Sequence, residues 1–180
     1  YFSKNSLNLN IIWFHCSSLG EYMQAEPLID SLKNGKKSHT VLVSFFSPSG
    51  FMNVKNSNID CKVYLPFDFP WTIKSLFEIV KPESIILANN DLWYNFLKIA
   101  KNRGIKTYLI GAESKSFHNN KYILSYYFYK PIYSFFTKIF TNSDADSECL
   151  SFYLDSNKGK VITVGNPRFD QVYNNSIKNN

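Results

Sequence analysis

Cysteine is scarce in this 180-residue chain. Cys16, Cys61 and Cys149 are odd in number, far apart and never in a C-x-x-C pair, which argues against a disulfide framework or a thiolate zinc site and fits a reducing compartment. No apolar run approaches the roughly 20 residues of a membrane-spanning helix, and no signal peptide opens the chain, so the segment reads as soluble. No Gly-rich phosphate loop of the Walker or dinucleotide type occurs, and His15, His39 and His118 lack metal-ligand spacing. Kinase, dehydrogenase and metalloenzyme readings lose their support. No Ser-His-Asp or Cys-His set can be assembled either. The chain begins with Tyr1 in place of Met, which suggests a piece of a longer protein.

Aromatic residues, by contrast, are abundant: 16 Phe, 12 Tyr and 3 Trp make up 17% of the chain, within an ordinary hydrophobic fraction of 44%. A net charge of +6 favours anionic partners such as phosphates, nucleic acid or anionic lipid, with a merely solvated basic surface as the plainer reading. The length suits one domain, since about 150 residues already bury roughly 68–70% of the unfolded surface.

Seven short apolar runs read as strands: Asn10–Cys16, Thr40–Phe46, Lys62–Pro66, Ser84–Asn90, Thr107–Ala112, Lys138–Ser143 and Lys160–Asn166. Several are apolar on consecutive residues, as strands covered on both faces should be, and a parallel sheet follows. Between them, Ala25, Leu28, Ile29 and Leu32 repeat at helical spacing, and "TIKSLFEIV" and "WYNFLKIAKNRG" look helical in the same way, with Gly35 and Gly104 at expected helix ends. Strands alternating with helices imply a doubly wound α/β sheet, whose ligands bind outside the carboxyl ends of the strands.

Four stretches follow strand ends. "SLGE", Ser18–Glu21, has the S-x-x-E spacing of a capping box, but a carboxylate at a strand-to-helix turn is also where a catalytic base could stand. Pro27 lies well inside the periodic segment, so the regular helix is expected to begin only near Glu26, leaving Glu21 in an exposed turn. In "LANNDLWYN", Asn89, Asn90 and Asp91 are all helix-capping types; capping explains one of them, and the cluster could instead hydrogen-bond a sugar with Trp93 as an apolar platform. "TNSDADSE" reads as an acid-rich first helical turn capped by Asn142, Ser143 or Asp144. "GNPRFD" is a turn in which Arg168 could hold a phosphate or carboxylate, or form a surface salt bridge. The aromatic stripe "KYILSYYFYKPIYSFF" reads first as core, although its tyrosines would also suit a membrane interface.

"WFHCSSLGE", "PLIDSL", "SFFSPSG", "VYLPFD", "ANNDLWYN", "TNSDADSE" and "VITVGNPRFD", in that order, resemble the amino-terminal domain of 3-deoxy-D-manno-octulosonic acid (Kdo) transferases, over roughly Asn10–Val172. Each motif is weak alone; their order is what makes the resemblance specific. It implies a Rossmann-like doubly wound parallel sheet, the amino-terminal half of a GT-B glycosyltransferase. Residues 1–172 would be the acceptor domain, and residues 173–180 a linker or frayed tail toward a carboxyl-terminal donor-binding domain. On this resemblance the family's amino-terminal membrane anchor is expected to lie outside this chain, and the isolated half is expected to be inactive.

The resemblance further implies transfer of Kdo from CMP-Kdo to a lipid A precursor, at the anionic cytoplasmic face of a bacterial inner membrane, without a cofactor, a metal or nucleic acid. It casts Glu21 as general base of an inverting reaction, and Ser18, Gly20, Ser49, Gly50, Asn89, Asn90, Asp91, Trp93, Lys115 and Arg168 as substrate-binding residues. Capping would then be a secondary role for Glu21, which should stand in a cleft and not be buried against its own helix amides alone. Where the family commonly reads like "ETELWPN", Asn89 replaces an acid and Tyr94 a proline; Glu113 stands near an expected arginine, with Lys115, Lys121 or Arg168 as substitute cations. A glycolipid-binding module without transfer, and a GT-B transferase using another sugar nucleotide, are the alternatives.

Overall fold

The computed structural model describes residues 10–35, 39–89, 91–114, 123–154 and 159–166, apart from the side chains of 123–126, 128, 152 and 153. The described elements alternate: β1 (Ile11–His15), α1 (Leu19–Lys33), β2 (Thr40–Phe45), α2 (Pro48–Asn53), β3 (Cys61–Tyr64), α3 (Pro70–Val80), β4 (Ser84–Ala88), α4 (Tyr94–Asn102), β5 (Lys106–Ala112), α5 (Ile123–Phe135), β6 (Lys138–Thr141), α6 (Asp144–Tyr153) and β7 (Val161–Thr163). All seven expected strands are present and join one sheet in the order β3-β2-β1-β4-β5-β6-β7, every pairing parallel. The winding direction reverses between β1 and β4, which makes the carboxyl ends of these two strands the topological switch point, where sheets of this kind bind their ligands.

Alternation along β1 divides the core. Ile11 and Trp13 join Leu42, Ile85, Leu87 and Leu109 under α3 to α6, while Ile12 and Phe14 join Val41, Val43 and Ile86 under α1. Burial on both faces is why these strands are apolar on consecutive residues. The aromatic stripe supplies core at its carboxyl end, where Ile132, Tyr133 and Phe136 are buried, whereas Tyr127 is exposed.

The expected start of the first helix is corrected. α1 begins at Leu19, not near Glu26, and runs through Pro27 to Lys33. Ser18 and Glu21 form a complete capping box upstream of the proline, and Tyr22, Ala25 and Ile29 are buried against the sheet. These contacts offset the one backbone bond that Pro27 removes. Glu21 is therefore the third helical residue, half-buried, and not in an exposed turn.

Candidate functional site

The loops after β1 and β4 bring the polar residues together at the switch point. Ser18, the cap of α1, accepts from the Glu21 amide through its hydroxyl at 3.4 Å. Glu21 Oε2 accepts in return from the amides of Ser17 at 2.5 Å and Ser18 at 3.3 Å. The capping box is thus complete, and among the described residues the hydrogen bonds of the Glu21 carboxylate go to these two amides of its own helix start alone. Oε1 accepts no hydrogen bond among the described residues. Ser17 also reaches the other loop, where its hydroxyl donates to Asp91 Oδ2. One serine therefore bridges two carboxylates, Glu21 through its amide and Asp91 through its side chain.

Burial raises the Glu21 carboxyl from 4.5 to about 7; the Asp91 charge adds to the rise, and the Ser17 and Ser18 amides oppose it. A carboxylate so placed takes a proton near neutral pH. Burial and the same two carboxylates push the Cys16 thiol well above its ordinary value, so Cys16 is no nucleophile at neutral pH.

Asn89, at the end of β4, holds a left-handed backbone with φ 61° and donates its amide to Ile110 O at 2.8 Å. Asn tolerates this conformation better than most residues, which accounts for its presence at a sharp strand exit. Trp93 packs edge-on to His15 and 5.0 Å from Phe46, and its buried indole N–H has no acceptor among the described residues. Asn90, Lys115, Lys121 and Arg168 lie outside the described residues. Gly20 is exposed, and a Cβ there would meet the Ser18 hydroxyl at 4.0 Å, an ordinary contact. Ser49 is exposed and bonded to Ser47, the cap of α2. Gly50 has a packing reason of its own: a Cβ there would meet the Phe45 ring at 2.3 Å. Glu113 accepts from Asn142 Nδ2 at 3.1 Å.

Sequence reasoning missed three features. His15 is fully buried at the end of β1, with Nε2 3.0 Å from Asp91 Oδ2 and Nδ1 2.8 Å from Ser44 Oγ. Asp68 caps α4 from the loop between β3 and α3, accepting from the amides of Asn95 at 2.8 Å and Phe96 at 2.9 Å. An aromatic ladder leads out of the site: Trp93 to Phe46 at 5.0 Å, Phe46 to Phe67 at 5.7 Å, Phe67 to Phe69 at 6.3 Å, and Phe69 stacked on Trp71 at 5.0 Å. Phe67 and Trp71 are each 67% exposed. "PFDFPW", with Phe67 and Phe69 between two prolines that bar a strand and Trp71 just after the second, was the available signal.

Two other concavities lie apart from this site. An apolar cleft of about 450 Å³ between α1 and β5–β6 is lined by Gln24, Pro27, Ile110, Gly111 and Phe140. Lys101, Lys138 and Lys160 gather at the opposite end of the sheet, where burial and then Lys101 lower the Lys160 amine to about 8. Among the described residues, no group of three or more His, Cys, Asp or Glu side chains could hold a metal ion, and no helix is long and apolar enough to cross a membrane.

A reversed-order parallel sheet with its polar cluster outside the switch point is a Rossmann-like half of the GT-B kind. The UDP-GlcNAc 2-epimerase of Neisseria meningitidis bound to UDP-GlcNAc matches 93% of this chain with 49% of its own, at TM-score 0.64 and 15% identity. The Rickettsia bellii UDP-N-acetylglucosamine 2-epimerase does so over 94% and 48%, at TM-score 0.65 and 13% identity. These likenesses show the fold alone.

The chain belongs to the 3-deoxy-D-manno-octulosonic-acid transferase (Kdo transferase) family, whose model matches residues 1–171. It is 29% identical over 119 residues to the Aquifex aeolicus 3-deoxy-D-manno-octulosonic acid transferase, covering 64% of this chain and 32% of that protein. To the probable mitochondrial enzyme of Arabidopsis thaliana it is 34% identical over 113 residues, covering 60% and 25%. A bifunctional glycosyltransferase/methyltransferase of Fusobacterium nucleatum is 24% identical over 88% of this chain and 25% of its own length. The matched stretches thus span about a quarter to a third of these relatives.

Proposed function

We propose that this chain is the acceptor-binding half of an inverting glycosyltransferase that moves Kdo from CMP-Kdo to a lipid A precursor, with Glu21 as general base. The observation that carries the reading is the Glu21 carboxyl itself. It is fixed by Oε2 at the carboxyl end of β1, raised to about 7, and unbonded at Oε1 among the described residues. In the reaction, Glu21 takes the proton of the acceptor hydroxyl while that oxygen bonds to the anomeric carbon. The bond from that carbon to the CMP phosphate breaks, and CMP leaves with the electron pair. Asn89, Asp91 and Trp93 would contact the acceptor sugar, and Ser18 and Gly20 would shape the turn beneath it. Ser49, Gly50, Asn90, Lys115 and Arg168 complete the proposed contacts, the cations toward the acceptor's anionic groups. CMP-Kdo is held mainly by the domain that faces this one in the family.

The aromatic ladder supports an amphiphilic acceptor. Its inner end, Trp93, touches the polar cluster, and its outer end is exposed, as acyl chains or an anionic membrane surface would require. The deciding experiment uses the full-length protein in detergent with CMP-Kdo and a lipid A precursor, comparing wild type with Glu21→Gln. The expected loss in kcat is roughly 10²- to 10⁴-fold, the usual contribution of a positioned base, with acceptor affinity retained. Acceptor binding without turnover by wild type would assign a glycolipid-binding module or a different donor.

A further inference from the structure

His15 and Ser44 face the same side of the sheet as Trp13, at paired positions of the parallel β1–β2 ladder, and all three side chains are fully buried. Protons in such a place must be shared without remainder, because an unsatisfied buried donor costs about 1–3 kcal/mol. Trp13 Nε1 can only donate, and it donates to Ser44 Oγ at 2.8 Å. The one hydroxyl proton of Ser44 then has His15 Nδ1, 2.8 Å away, as its acceptor. The imidazole proton is left on Nε2, directed at Asp91 Oδ2 at 3.0 Å. A proton on Nδ1 would leave the Ser44 hydroxyl without this acceptor. The hydrogens thus run in one direction, from Trp13 through Ser44 and His15 to Asp91, where the Ser17 hydroxyl, itself 3.3 Å from His15 Nε2, donates to the same oxygen.

We propose that His15 is a positioning residue: held by Ser44 with its proton on Nε2, it fixes the Asp91 carboxylate against Ser17 and beside Glu21. The proposal rests on the reading of Glu21 as the base, and it adds a part that base needs. Asp91, with its side chain 23% exposed, would otherwise turn toward water. The ionisable groups that face Glu21 here are Asp91 and Cys16, with His15 behind Asp91; among the described residues no lysine or arginine is bonded to either carboxylate. Burial does most to raise the Glu21 carboxyl, and the Asp91 charge that adds to it is placed by how firmly His15 holds its neighbour.

The test uses the full-length protein with His15→Leu, which removes the donor, and His15→Gln, whose amide can donate from near the Nε2 position. Loss of the donor lets the Asp91 carboxylate turn away toward water, and with its charge farther off the pH at which Glu21 ionises falls. His15→Leu should move the acid limb of kcat/KM to lower pH and reduce kcat by roughly tenfold to a hundredfold, the scale of a small misplacement at a reacting centre, without raising the acceptor KM. His15→Gln should restore most of both. Titration of Glu21 by carbon NMR on glutamate-labelled protein, assigned by its absence in Glu21→Gln, should show the same downward shift with no substrate present. Nitrogen NMR of the wild-type imidazole should show the Nε2–H tautomer. An Nδ1–H tautomer, or an unmoved Glu21 titration in a folded His15 variant, overturns the proposal. Absence of Kdo transfer by wild type would fail the functional reading alone, since the tautomer and the titration are read without turnover.

Discussion

Oε2 of Glu21 closes the capping box of α1, so the residue proposed as base is also part of the local scaffold. The arrangement has a thermodynamic signature. The folded-state carboxyl ionises at about 7 and the ordinary one at 4.5, so across that interval the folded chain keeps a proton that the unfolded chain has released. Stability therefore falls as pH rises from 4.5 to about 7, and the full penalty stands above it. Glu21→Gln keeps a capping-box residue at this position but has nothing to ionise. Its melting temperature should gain on wild type between about pH 5 and about pH 8, at roughly 2–4 °C per kcal/mol relieved. A difference that is flat with pH in calorimetry would show that Glu21 is not ionised at a cost. At this scale the sequence was half legible: "SLGE" revealed the acid and both of its roles, because cap and base use the same short motif. His15 stayed hidden, because its partners Ser44 and Asp91 are 29 and 76 residues away and only the sheet register joins them.

Elements were more legible than residues, for a physical reason. A strand buried on both faces needs apolar residues in succession, and "IIWF", "TVLV" and "SIIL" could serve few other ends. Pro27 misled because a local rule was applied without the box upstream that nucleates α1 or the sheet that holds it. α4 shows the converse. Its cap residue, Trp93, offers no side-chain acceptor, so the helix start depends on Asp68 in another loop. Asp68→Ala should leave the Asn95 and Phe96 amides without that acceptor and cost about 1–2 kcal/mol in denaturant unfolding, the upper range for a lost cap. Asn95 also donates to the Asp68 backbone carbonyl at 2.6 Å, a bond the variant keeps, so the loop carrying Phe67 and Phe69 should stay tied to α4 while the helix start loses its cap. Unchanged stability would mean that water replaces the carboxylate there without loss.

For the whole molecule, the placement of apolar surface separates the proposed lipid acceptor from a soluble one. The tyrosine-rich stripe that suggested a membrane-facing surface places Ile132, Tyr133 and Phe136 in the core, while the exposed rings Phe46, Phe67, Phe69 and Trp71 form a chain of contacts leading away from Trp93. An acceptor whose hydroxyl sits at Glu21 and whose acyl chains follow the ladder buries these rings from water. Each buried side chain of this size contributes about 1.5–3 kcal/mol. Replacing Phe67 and Trp71 together with Ser should therefore weaken an acylated acceptor by at least about tenfold, seen as a higher KM at unchanged kcat, because the rings bind the tail equally before and during transfer. Both rings are already exposed, so the fold should lose little, and a melting temperature near wild type is the control. A deacylated, water-soluble acceptor should react with the variant as it does with wild type. Equal losses for both acceptors would mean that the ladder shapes the sugar site, and no loss for either would remove the apolar track from the acceptor's path.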